Sequence, residues 1–101
     1  MLLYNVTVGI DKDKEQEWLD YMRNKHIQDV MNTGLFVESK MYKVLHDQHD
    51  DTISYSIQYF ARNIENIQQY LEVFAPVLIE EHRKKFLNRH VAFRTLLEEV
   101  E

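Results

Sequence analysis

The chain of 101 residues contains no cysteine, two glycines and one proline. Without cysteine there is no disulfide, no thiol nucleophile and no thiolate metal site. With only Gly9 and Gly34 available, neither a Walker loop nor a G-x-G-x-x-G fingerprint can be written. No G-x-S-x-G nucleophile elbow occurs. No apolar run approaches the roughly 20 residues that a membrane helix needs. The first residues, Met1 to Val8, alternate like a strand and lack a basic leader, so no signal peptide is expected. Basic charge is also short: twelve Lys+Arg against seventeen Asp+Glu give a net charge of −5. That balance argues against nucleic-acid phosphates and anionic membranes as partners. The best basic cluster, Arg83-Lys84-Lys85, is short and follows Glu80-Glu81. The cytoplasm is the simplest location for such a chain.

Hydrophobic residues make up 45% of the chain and charged residues 29%, the balance of one folded domain over residues 1–101. The pattern reads strand, helix, strand, strand, helix, strand. Strand one, Leu2 to Ile10, puts Tyr4, Val6, Val8 and Ile10 on one face. Asn5, Thr7 and Gly9 fall on the other. Helix one carries Trp18, Leu19, Met22, His26 and Val30 as its apolar stripe, with Asp11 or Asp13 placed to cap it. Gly34 suits its left-handed C-terminal cap. Strand two spans Leu35 to about His46, with Leu35, Val37 and Met41 on one face and Phe36, Glu38 and Lys40 on the other. A polar turn, Asp47 to Asp51, leads to strand three, Thr52 to about Ala61, the clearest alternation in the chain. Helix two starts at the N-cap Asn63 and carries Ile64, Ile67, Leu71, Phe74, Leu78, His82 and Phe86. Pro76 lies inside it, at a cost of roughly 3 kcal/mol for a regular helix, so a kink or break is expected between Glu72 and Pro76. Strand four is about Val91 to Leu97.

Two βαβ halves of this length predict a ferredoxin-like α+β fold. Its four-stranded antiparallel sheet has the order 4-1-3-2, with both helices on one face. Val91 and Phe93 are expected to join Tyr4, Val6, Val8, Ile53, Tyr55 and Ile57 under the helices. The opposite face then carries Asn5, Thr7, Ser54, Ser56, Gln58 and Arg94. This polar face, with Leu3, Phe60 and Leu96 around it, is expected to pair two subunits into a homodimer.

Several strings carry a family resemblance. Tyr4-Asn5-Val6-Thr7-Val8, His26-Ile27-Gln28-Asp29-Val30 and Thr33-Gly34-Leu35-Phe36 resemble a bacterial family catalogued as domain of unknown function 4286. So do Tyr55 to Phe60, Phe74-Ala75-Pro76 with Glu81-His82, and Val91 to Leu97. The resemblance implies the fold and assigns no reaction. The layout is also similar to the dimeric α+β barrel superfamily, which includes antibiotic-biosynthesis monooxygenases, haem-degrading monooxygenases and muconolactone isomerases. That likeness implies a dimer and a site between sheet and helices.

The residues that could carry chemistry are few. His26 and His82 lie on the apolar seams of their helices, where an imidazole can act as a general base or a ligand. The plainer reading of each is a core-edge histidine bonded to a carbonyl or a Tyr hydroxyl. Tyr55 is the candidate phenol for an acid–base pair with either histidine. Tyr4, Tyr59, Asn5, Gln58 and Arg94 are candidate ligand-binding residues. His82 and Asn5 mimic a haem-degrading pair implied by the superfamily, but helix two carries no Trp and Asn5 faces away from the helices. His46, His49 and their aspartates read as a solvated turn, not a metal site. The expectation is a homodimeric module that binds a small organic molecule or a protein, with no cofactor and no metal. The alternatives are a cofactor-independent enzyme of monooxygenase or isomerase type and, second, a haem binder.

Overall fold

The structure, a computed structural model, describes residues 1–46 and 51–101. Strands β1 (Leu2–Asp11), β2 (Glu38–Lys43), β3 (Thr52–Ala61) and β4 (His90–Glu98) form one antiparallel sheet in the order β2-β3-β1-β4. The expected topology therefore holds, with β1 and β3 central. Two helical rods lie across one side of the sheet. The first joins α1 (Glu15–Tyr21) to α2 (Ile27–Met31) through a π turn, Met22–His26. The second joins α3 (Ile64–Gln69) to α4 (Ala75–Lys85) through a π turn, Tyr70–Phe74. The turn residues Asp47, Gln48, His49 and Asp50 lie outside the described residues.

The core is the helix-facing side of the sheet. Tyr4, Val8, Ile10, Ile53, Tyr55, Ile57 and Tyr59 are buried against Trp18, Met22 and Val30 from one rod and Ile67, Tyr70 and Phe86 from the other. Each such side chain contributes about 1.5–3 kcal/mol through burial. Helix ends follow the local rules where a partner is within reach. The Asn63 side chain accepts from the Asn66 amide at 2.9 Å, and Gly34 takes φ +77° after the first rod.

Four local expectations are corrected. Val91 and Phe93 are not under the helices; they are 73% and 62% exposed on the other face. The register pairs Gly9 with Val91 and Thr7 with Phe93, while Val8 meets Ala92 and Val6 meets Arg94. Both sides of β4 carry apolar residues, so alternation alone does not choose between them, and one step of register exchanges the two faces. Arg94 accordingly moves to the helix side. Second, β2 is shorter than expected and begins at Glu38. Phe36, expected on the same strand face as Glu38 and Lys40, precedes the strand and is buried among Tyr4, Tyr59 and Tyr70. Third, Asp11 and Asp13 do not cap the first rod: both bind Arg89, Asp11 at 2.6 Å. Fourth, the second rod is irregular near Pro76 as expected, but the irregularity is a π turn. Tyr70 and Ala75, at and just after this turn, are in the core, while Ile64 at the start of the rod is at the surface.

Candidate functional site

Between the rods and the sheet lies a cavity of about 30 Å³. Its floor is Tyr4, Val6, Val8, Ile57 and Tyr59 from the central strands, with Ala92 and Arg94 from β4. Its roof is Met22 and His26 from the first rod and Tyr70, Ile79 and His82 from the second. Both π turns supply roof residues, and such turns recur at functional sites. The space suits one or two waters, at roughly 10–15 Å³ each. It is far below the roughly 300 Å³ of an ordinary ligand pocket.

His82 is fixed by the opposite rod. Trp18 Nε1–H donates to His82 Nε2 at 2.9 Å, and both side chains are buried. An imidazole that accepts at Nε2 is neutral and carries its proton on Nδ1. Burial pushes its pKa down to about 3, aided by His90, His26 and Arg94. The His90 ring stands edge-on to it at 4.7 Å. His90 Nδ1 donates in turn to the Phe86 carbonyl at 2.8 Å.

His26 is different. Its ring lies 5.7 Å from that of His82, yet its Nδ1 is buried with no hydrogen-bond partner. Burial pushes its pKa down to about 4. Asp29 and Glu81 oppose that shift from outside the cavity, and both are held by Lys25, at 2.7 and 3.4 Å. Tyr59 is only 1% exposed and its hydroxyl is also unpartnered. Burial raises the Tyr59 pKa, as it does that of Tyr70. Arg94 Nε donates to the Tyr4 hydroxyl at 3.1 Å.

Five of the nominated residues thus share one cavity: His26, His82, Tyr4, Tyr59 and Arg94. Tyr55 does not line it. Its hydroxyl donates to Glu15 and its ring lies 5.0 Å from Trp18. Burial and the Glu15 contact push its pKa up to about 12. Asn5 and Gln58 lie on the opposite face of the sheet, in a self-satisfied polar row. Ser56 Oγ donates to Asn5 Oδ1 at 2.6 Å, Asn5 donates to Thr7 at 3.1 Å, and Gln58 reaches Ser56 at 3.5 Å. Sequence reasoning missed Tyr70, and missed Trp18 as the partner of His82. Residues with a spacing of four drift about 40° per step around an α-helix. The straight line Trp18, Met22, His26, Val30 therefore hints at a wider turn within the rod.

Haem does not fit this arrangement. The nitrogen of His82 that a metal would use accepts from Trp18, and the cavity beside it holds about 30 Å³. Among the described residues, no group of three or more His, Asp or Glu is arranged to hold a metal ion. No helix among them is long and apolar enough to cross a membrane.

Solved structures share the fold across nearly the whole chain. HapK from Hahella chejuensis superposes with a TM-score of 0.72 at 9% identity, over 99% of this chain and 93% of that one. An antibiotic biosynthesis monooxygenase gives 0.69 at 10% identity, over 100% of both. A MhuD variant with two manganese protoporphyrin IX bound per active site gives 0.71 at 12% identity, over 100% of this chain and 96% of that one. At these identities the likeness is one of fold. No curated protein matches the chain in sequence. The family is settled by sequence: residues 1–100 match the domain of unknown function DUF4286, and the chain belongs to that family.

Proposed function

We propose that the chain is a homodimeric module whose small-molecule site is seeded by the cavity between its rods and its sheet, which must widen beyond its roughly 30 Å³ to admit an organic guest. One observation carries the reading: His26 Nδ1 and the Tyr59 hydroxyl are both buried without partners, and both line that cavity. An unsatisfied buried polar group costs about 1–3 kcal/mol. A guest that supplies two polar atoms removes both penalties together.

The dimer contact is assigned to the outer sheet face. Val91, Phe93, Leu97 and Tyr42 are exposed there around the satisfied row of Asn5, Ser56 and Thr7. A face with apolar edges and internally paired polar groups loses little on desolvation.

A thermal-shift screen tests the binding reading. A guest that prefers the folded form raises the melting temperature, and Ala92→Leu, which fills the cavity from the edge strand, abolishes the rise. Guests that bind Ala92→Leu as well as the parent chain contradict the assignment. An acid–base enzyme is the second reading, favoured by His26. Its free Nδ1 belongs to a neutral imidazole at pH 7. The phenol that shares the cavity with it is then Tyr59 or Tyr4, in place of Tyr55.

A further inference from the structure

The two edges of the sheet differ. β2 is six residues long and carries Glu38, Lys40 and Lys43, the short charged form that resists pairing. β4, at the other edge, runs for nine residues without a proline. Asp11 N–H donates to the Arg89 carbonyl at 3.0 Å, and Glu99 N–H donates to the Met1 carbonyl at 3.2 Å. The register between these two bonds is unbroken. The odd-numbered residues of β4 therefore turn their N–H and C=O groups toward β1. The even-numbered ones, Ala92, Arg94, Leu96 and Glu98, turn theirs outward. Their side chains lie on the helix side of the sheet, and from Arg94 onward they are exposed, Leu96 at 51%. Arg94 and Glu98 stand about 13 Å apart along the strand, too far to pair with each other. Among the described residues neither has an ion-pair partner.

We propose that this edge takes the β4 edge of a second copy, antiparallel and centred on Leu96, so that Arg94 pairs with Glu98 of the partner subunit. Leu96 then meets Leu96 of the partner subunit, and Thr95 meets the partner subunit's Leu97. The two-fold axis makes each cross-strand pair twice, and the outward N–H and C=O groups close a ladder. The charges choose this register. Centred on Arg94, the pairing brings two guanidinium groups together; centred on Thr95, it sets Arg94 against leucine. Arg94 also lines the cavity, so the partner's Glu98 neutralises a charge at that site. The contact is separate from the outer-face dimer. Its overlap is short and its ion pairs are exposed, each contributing little, so it is the weaker of the two. It joins outer-face dimers as the concentration rises.

The test is light scattering from dilute to millimolar protein, where the mass is expected to rise from two copies to four. Arg94→Glu and Glu98→Arg each weaken that step by about tenfold. The double variant, which exchanges the two charges, restores it, and added salt weakens it in the parent chain. The chain has no cysteine, so Leu96→Cys places a single thiol on the axis. A short bismaleimide is expected to join two such chains, and to fail once Arg94→Glu is added. A mass that stays at two copies throughout, a double variant no better than the single ones, or crosslinking indifferent to Arg94→Glu overturns the inference. So does protection of the Arg94 and Leu96 amides by a synthetic peptide of unrelated sequence in a chain that stays at two copies; the occupant is then another protein. Association that responds to Arg94→Glu and not to Phe93→Lys keeps this contact and removes the outer-face assignment.

Discussion

Trp18 and His82 are bonded to each other across the two rods, indole Nε1–H to imidazole Nε2 at 2.9 Å. Sixty-four residues separate them in sequence, so the bond ties the first βα unit to the second. It also sets the histidine's role: His82 is an acceptor with its proton on the other nitrogen, and His26 is the imidazole left free. Trp18→Phe strands the His82 acceptor and is expected to destabilise the fold by about 1–3 kcal/mol. A double-mutant cycle with His82→Phe, read by urea denaturation, is expected to show coupling of about 1 kcal/mol or more. Additive effects contradict the bond.

Acid is expected to weaken the fold before carboxylates protonate. His26 and His82 have folded-state pKa values of about 4 and about 3, below the ordinary 6.5. The unfolded chain therefore binds more protons between those values, and stability rises with pH across that window. Stability is complete above about pH 6.5. It falls as the pH drops toward 4 for His26 and toward 3 for His82, by roughly 1.4 kcal/mol per pH unit for each. Urea midpoints at pH 7.5, 6 and 5 measure the slope, and ring NMR at pH 5 is expected to find both imidazoles neutral. Either one titrating near pH 6.5 contradicts the buried assignment.

Phe93→Lys is expected to give a monomer with an unchanged circular dichroism spectrum. Phe93 sits on the outer face opposite Thr7, where it is removed from the core. Light scattering measures the mass. An unchanged dimer moves the contact elsewhere.

Gly34→Ala is expected to cost about 1–2 kcal/mol. A Cβ at this position meets no atom within 4 Å, so the cost is conformational, from φ +77°. An unchanged melting temperature contradicts a left-handed cap at this position.

Much of this was legible in the sequence. Tyr4, Val8, Tyr55, Ile57 and Tyr59 alternate against a polar opposite face, so β1 and β3 could be read with their sides assigned. His26 and His82 lie four residues from apolar neighbours on each side, and both line the cavity. What failed had physical reasons. β4 has apolar residues on both sides, so only its pairing with β1 separates Arg94 from Val91 and Phe93. Tyr55 shares the helix side with Tyr59, but strand alternation gives the face and not the position along it. Tyr55 lies under α1 with Glu15, while Tyr59 lies under the second rod. The π turn of the second rod puts Tyr70 and Ala75 deepest in the core and leaves Leu71 and Phe74 only partly buried beside them, and Pro76 marked the place without giving the direction.

The most direct measurement is NMR of the protein labelled at its histidine ring nitrogens, recorded during titration with small guests. The account predicts that a bound guest moves the His26 Nδ1 resonance and the Tyr59 ring signals together, and that Ala92→Leu removes both changes. Guests that bind while those signals stay fixed would place the site elsewhere and contradict it.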